Sequence, residues 1–533
     1  MTMWMQDKRY RIVAFISIVV SVVAITAFAL TPSSVFGHAA PNVGSWFAPF
    51  TQASQASLPN YYAEGMVLQR DKPIAVHGTT DPNATITLTI QDGGKDVSKA
   101  TVQADANGYF NAQAAAVPAR LEPYSLTVAS GKTTLRTINT VYVGDVFVAA
   151  GQSNMDLNYN SHYKSADDAA KNMQNVITKS DLPDTIDDEN VRFIVTRDVP
   201  SSNTNETDLP LETFNSDGWV SATSASSPDL GYLPQFFAEN VRQQEKDIPV
   251  GIIQIAWDGT YISRHVQGGD IYNNHVAPLA GFNVAGILWY QGESDAIIQS
   301  TALSYSAYFT KLINQYRQVF NQDDLPFLYV QLARYAGYPE TSTVRQAQLD
   351  TLSAVANTKN VAMTVSIDSD KGTSELIHPL GKDILGYRMA QQWLAIQQKA
   401  AIPQGPIAIS AKEKSAGDPS VAVVSFADDT ATDLQTRQPI YSTFATSENV
   451  SVQVGMKLVG FEAASDNGVF VPAEAAIVGD TVEVQAEGLN SIREVRYLWS
   501  LNPNSRSMLY NGDLLPASPF TVTVQHHDDG TSE

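Results

Sequence analysis

Val146-Phe-Val-Ala-Ala150 runs without a break into Gly151-Gln-Ser-Asn-Met155. A short apolar run with no polar alternation is what a strand buried on both faces requires, and a small polar turn closes it. Residues 250–256, 285–290, 327–332 and 361–367 have the same character. Helical patterns lie between them. Over residues 305–320, Tyr305, Phe309, Leu312, Ile313, Tyr316 and Phe320 recur at steps of three and four and make one apolar stripe. Residues 233–245, 344–356 and 384–397 repeat that period. Buried strands alternating with amphipathic helices predict an α/β domain with a parallel sheet over residues 142–402. Residues 160–230, polar and irregular, read as a surface insertion in it.

Outside that core the period changes to two. Residues 61–141 carry short alternating runs such as Thr85-Ile-Thr-Leu-Thr-Ile90, punctuated by Asp81-Pro82, Gly93-Gly94 and Asn107-Gly108. They predict an N-terminal β domain. The pattern returns over 403–524, a C-terminal β domain, and residues 525–533 form a polar tail. Residues 41–60 read as a linker.

The chain has 533 residues, 44% apolar and 17% charged, which excludes global disorder. With 34 Lys and Arg against 55 Asp and Glu the net charge is −21. Such a surface repels nucleic acid and anionic lipid, so neither is a main partner. There is no cysteine, which removes disulfides, thiolate zinc sites, iron–sulfur clusters and a cysteine nucleophile together. Lys8, Arg9 and Arg11 precede the uncharged stretch 12–30, and Gly37-His38-Ala39 follows. Residues 1–40 therefore read as an export signal or a retained N-terminal membrane anchor, and the body of the protein is expected outside the cytoplasm.

Ligands bind beyond the carboxyl ends of the strands of an open parallel sheet. Here the runs end in Gly151-Gln-Ser153-Asn154, Trp257-Asp-Gly259-Thr260, Gln291-Gly-Glu293-Ser294 and Asp368-Ser-Asp370, with Glu375-Leu-Ile-His378-Pro379 soon after the last. A hydroxyl, a glycine amide, a side-chain amide and a histidine at one sheet edge are the inventory for acyl transfer. Ser153 alone reads equally as a helix cap. Of the eight histidines, only His378 sits beyond a strand end with an acid three positions earlier. That spacing can set Glu375 against the ring nitrogen facing away from substrate; Asp368 and Asp370 compete for the role. Asn154, Glu293 and Arg264 are candidates for contacts to substrate, Arg264 for a substrate carboxylate.

The blocks GQSNM, WDGTYI, WYQGES and the IHP segment resemble those of the sialate O-acetylesterase (SASA) family, SGNH/GDSL-type carbohydrate esterases. Met66-Val-Leu-Gln-Arg-Asp-Lys-Pro73 resembles the family's first β domain, and Leu515-Pro-Ala-Ser-Pro-Phe520 its C-terminal one. The resemblance implies an SGNH-like three-layer α/β domain flanked by N-terminal and C-terminal β domains. It implies a serine esterase acting on O-acetylated carbohydrate, with Ser153 as nucleophile and His378 as base. The Ser153 and Gly259 amides and the Gln291 side chain would form the oxyanion hole, and no cofactor or metal is called for. Three positions depart from the family: WDGTYI stands for tryptophan, two glycines and Thr-Pro-Ile; Asp295 stands for asparagine; and Glu375 is the nearest acid where aspartate is usual. Sialosides, xylan and other glycans stay open as substrates. A non-catalytic sugar-binding protein and a glycosidase using Glu293 are the competing classes.

Overall fold

The computed structural model describes residues 53–162, 164, 178–197, 209–355, 360–416, 418–503 and 506–526. The stretch read as an export signal or anchor, most of the linker and the tail from residue 527 lie outside them. No helix among the described residues is long and apolar enough to cross a membrane.

The sheet of the α/β region holds β1 (Thr133–Gly151), β2 (Asp188–Thr196), β3 (Ser216–Ala222), β4 (Val250–Gln254), β5 (Gly286–Tyr290), β6 (Phe327–Val330) and β7 (Val361–Thr364), in the spatial order β3-β2-β4-β1-β5-β6-β7. The five expected buried runs are its neighbouring strands β4, β1, β5, β6 and β7. Every pair is parallel except the edge pair β2–β3. β1 is the hinge of the architecture. Its second half pairs in parallel with β4 and β5, whereas its first half pairs antiparallel with Arg120–Ser130 and, further along, in parallel with Met66–Gln69. The strand thus crosses residues 141–142 without a break, and the N-terminal β region shares a sheet with the α/β core.

The helices follow from their stripes. α1 (Ser153–Asp156) is a single turn; α2 (Tyr232–Gln244), α3 (Gln299–Val319), α4 (Thr341–Ala354) and α5 (Lys382–Gln398) lie within a few residues of the expected spans. In α3 the residues Tyr305, Phe309, Leu312, Ile313 and Tyr316 are all buried. Phe309 meets the Tyr329 ring of β6 edge-on at 4.9 Å, a geometry that adds to simple area burial. Trp393 of α5 packs on Phe147 of β1 in the same manner, at 5.0 Å.

The expectation of a surface insertion over 160–230 is corrected. β2 and β3 lie there and extend the sheet beyond β4, with Val191, Phe193 and Ile194 fully buried. Their apolar residues sit between polar flanks, so the segment average hides them. Beyond α5 an eight-stranded sheet is built around Ala408–Ser415 and Asp418–Phe426, with a three-stranded one beside it.

Candidate active site

Three strand ends are sewn together at the carboxyl edge. Ile255 N donates to Ala149 O at 2.8 Å, Trp257 N to Gly151 O at 2.9 Å, and Gln152 N to Tyr290 O at 2.9 Å. The last contact dictates the residue before it. Gly151 has φ +129°, and a Cβ there would lie 2.1 Å from Tyr290 O, so only glycine lets β1 turn against β5.

Ser153 is the first residue of α1, and Gln152 holds the cap position, so the serine hydroxyl is not spent on capping. Its Oγ lies 2.9 Å from His378 Nε2. Both side chains are largely withdrawn from solvent, Ser153 at 7% exposure. Burial, and next the nearby Lys382 ammonium, lower the His378 pKa from 6.5 to about 4, because both disfavour the imidazolium. The ring is therefore neutral at pH 7 and able to take the Ser153 proton. Gly259 sits exposed in the turn after β4 at φ +64°. That turn is pinned on both sides, by Trp257 N on Gly151 O and by Thr260 O under Gln291.

The expected contact from Glu375 is not made. Its side chain is exposed, and it has no hydrogen bond to His378. In this tight turn the inward residue is Leu376, which packs with Tyr232, Phe236 and Leu380. The competing aspartates are engaged elsewhere. Asp368, wholly buried, takes Arg388 through both oxygens at 2.7 and 2.9 Å and the Tyr510 hydroxyl at 3.0 Å. Asp370 takes Arg334 at 2.7 and 2.9 Å and Gly372 N at 2.8 Å.

Gln291, expected at the oxyanion, is a brace in this structure. Its Nε2 donates to Thr260 O at 2.8 Å and Asp295 Oδ2 at 2.6 Å, with Gln152 Oε1 at 3.2 Å, and the residue is fully buried. Two N–H groups facing three acceptors leave no donor for substrate. Asp295, one of the departures from the family pattern, also accepts Ile262 N at 3.0 Å, a task for an acceptor oxygen. Gln291→Ala should therefore lower stability by about 1–3 kcal/mol, since it strands buried acceptors. Thermal unfolding alongside kinetics checks this: an unchanged Tm with kcat reduced about 10²–10³-fold would restore the oxyanion role.

Asn154 and Arg264, expected on the substrate side, are also committed. Asn154 Nδ2 donates to Glu293 Oε1 and, at 3.0 Å, to Ile377 O, while its Oδ1 accepts Lys382 Nζ at 2.8 Å. Arg264 closes its fork on Asp270 at 2.9 and 2.6 Å. Glu293 differs. Its Oε2 is buried without a hydrogen-bond partner among the described residues, and burial raises its pKa to about 7. It borders a cleft of about 10 Å³, room for one water-sized group, with Tyr335 and Tyr338 on the rim. Lys382 was absent from the candidates: four positions after His378, nothing in its sequence context marks it as buried.

With this geometry in place, comparison with known proteins gives consistent results. Residues 143–395 match the family model for carbohydrate esterase, sialic acid-specific acetylesterase. Sialate O-acetylesterase of Mus musculus is 24% identical over 430 residues, 65% of this chain and 75% of its own length. The Homo sapiens enzyme is 24% identical over 406 residues, 65% and 72%. The crystal structure of a carbohydrate acetylesterase from Xanthomonas citri superposes with a TM-score of 0.70 at 29% identity, over 88% of this chain and 99% of the other. The matched residues 143–395 hold Ser153, Gly259, Gln291 and His378, and this part of the chain is similar to the carbohydrate esterase, sialic acid-specific acetylesterase family.

Proposed function

We propose that the protein is a serine esterase that removes O-acetyl groups from carbohydrates, built on an SGNH-like three-layer α/β domain. The observation that carries this reading is the 2.9 Å contact between Ser153 Oγ and a neutral His378 Nε2, at the strand ends where such folds hold ligands. Ser153 Oγ attacks the acetyl carbonyl carbon while its proton passes to His378 Nε2. The Ser153 and Gly259 N–H groups receive the developing oxyanion; Ser153 N–H is the first donor of its helix and has no intrahelical acceptor. The sugar oxygen leaves with the proton from Nε2. Water then attacks the acetyl-serine, gives its proton to Nε2, and acetate departs as Ser153 Oγ takes that proton back.

Glu293 Oε2, without a hydrogen-bond partner among the described residues, is the acceptor proposed for a substrate hydroxyl. Sialosides are the first substrate class to examine, because relatives bearing the sialate O-acetylesterase name span most of the same region. With Arg264 closed on Asp270, the binding of a sialate carboxylate falls to another donor. Acetate release from acetylated sialosides, acetylated xylo-oligosaccharides and simple sugar acetates tests the proposal; release from none of them would refute it. The proposal includes export, supported by the basic residues ahead of the uncharged stretch 12–30.

A further inference from the structure

Lys382 is an improbable place for an ammonium. It is 1% exposed, and it is the first residue of α5, where the positive end of the helix dipole adds to the cost of burial. Burial lowers its pKa to about 7, against the opposing pull of Glu293 and Asp383. Three features keep it there. Its Nζ donates to Pro379 O and to Asn154 Oδ1, each at 2.8 Å; Asn154 passes the contact on to Glu293 Oε1; and the Tyr290 ring lies 5.6 Å away.

The carbonyls so engaged are not arbitrary. Lys382 holds Pro379 O, and Asn154 holds Ile377 O at 3.0 Å. These are the two residues on either side of His378. We infer that Lys382 and Asn154 are positioning residues that clamp the backbone on both flanks of the general base and hold its imidazole on Ser153. Bonds from Lys382 Nζ, charge-assisted below its pKa of about 7, suit this task, being short and directional. The inference rests on the reading of His378 as general base.

The clamp also has an electrostatic signature that packing alone lacks. Among the described residues, the charged and titratable groups seen beside His378 are Lys382 from α5 and His162, whose ring centroid is 6.4 Å away. Lys382 itself faces Glu293 beyond β5 and Asp383. Lys382 is one cause of the depressed His378 pKa, and it is protonated at the acidic pH where that ring titrates. Removing it must therefore let the ring bind its proton at higher pH.

The test is kinetic, on the full chain with an aryl acetate. Lys382→Met should lower kcat about 10–100-fold with KM little changed, since misplacing a reacting group by about 1 Å costs up to 10²-fold. The acid limb of kcat/KM should also move upward, toward 6.5 but short of it because burial remains. Lys382→Arg, which keeps the cation, should leave that limb in place. Should Lys382→Met fail to fold, Lys382→Gln must show the same upward move. A kcat unchanged in Lys382→Met, or reduced only in step with Tm while the acid limb stays fixed, would overturn the clamp. His378→Ala separates the two levels: if it is active, the base assignment fails; if it is inactive while Lys382→Met behaves as wild type, only the clamp fails.

Discussion

Ser153→Ala is expected to lower kcat for acetate release by about 10⁶-fold, with the protein still folded. The hydroxyl is a poor nucleophile until a neighbouring base accepts its proton, and here the acceptor lies 2.9 Å away on His378. Nothing structural depends on the lost oxygen. Ser153 does not cap its helix, and the strand ends around it are held by backbone contacts from Gln152, Ile255 and Trp257. His378→Ala should lose nearly as much. Because the two groups act as one unit, the double variant should be little worse than either single one, and steady-state kinetics on the three proteins checks this. Additive losses would mean that the two residues work independently.

The second large effect falls on stability. Asp368→Ala should destabilise the fold by about 3–5 kcal/mol, the range for leaving one member of a buried pair uncompensated. Arg388 would keep its charge in a site where both aspartate oxygens now receive it, and Tyr510 would lose its acceptor. Since Tyr510 belongs to the C-terminal β region, the loss should also loosen that region from the α/β core. Glu375→Gln is the contrast: an exposed side chain without a hydrogen bond to His378 should change neither Tm nor kcat by much. Thermal unfolding and kcat measured on both variants decide. A sharp fall in kcat for Glu375→Gln at unchanged Tm would place the carboxylate on the imidazole during turnover.

The contrast shows where the sequence is legible. Long buried runs and helical stripes announce themselves, because burial on both faces or along one stripe leaves a periodic trace. The five apolar runs form neighbouring strands of one sheet for that reason. β2 and β3 left a weaker trace, since their inward residues alternate inside polar surroundings. The site divides along the same line. That Ser153 and His378 meet was legible because each comes after a strand, and the topology carries strand ends to one edge. Which side chain of a turn faces inward is set by local packing; Leu376 takes that place and Glu375 does not. Gln291 and the buried cation Lys382 each also take a partner from a segment more than a hundred residues away, Gln152 and Asn154. No local pattern encodes them.

The most direct test of the account is to place the covalent adduct. A fluorophosphonate, which reacts with serines activated by a neighbouring base, is applied to the full chain, and the modified residue is located by peptide mapping. The account predicts one adduct, on Ser153, absent from Ser153→Ala and strongly reduced in His378→Ala, with acetate release lost as the adduct forms. An adduct on another residue accompanied by loss of activity, or full acetate release from protein labelled at Ser153, would contradict it.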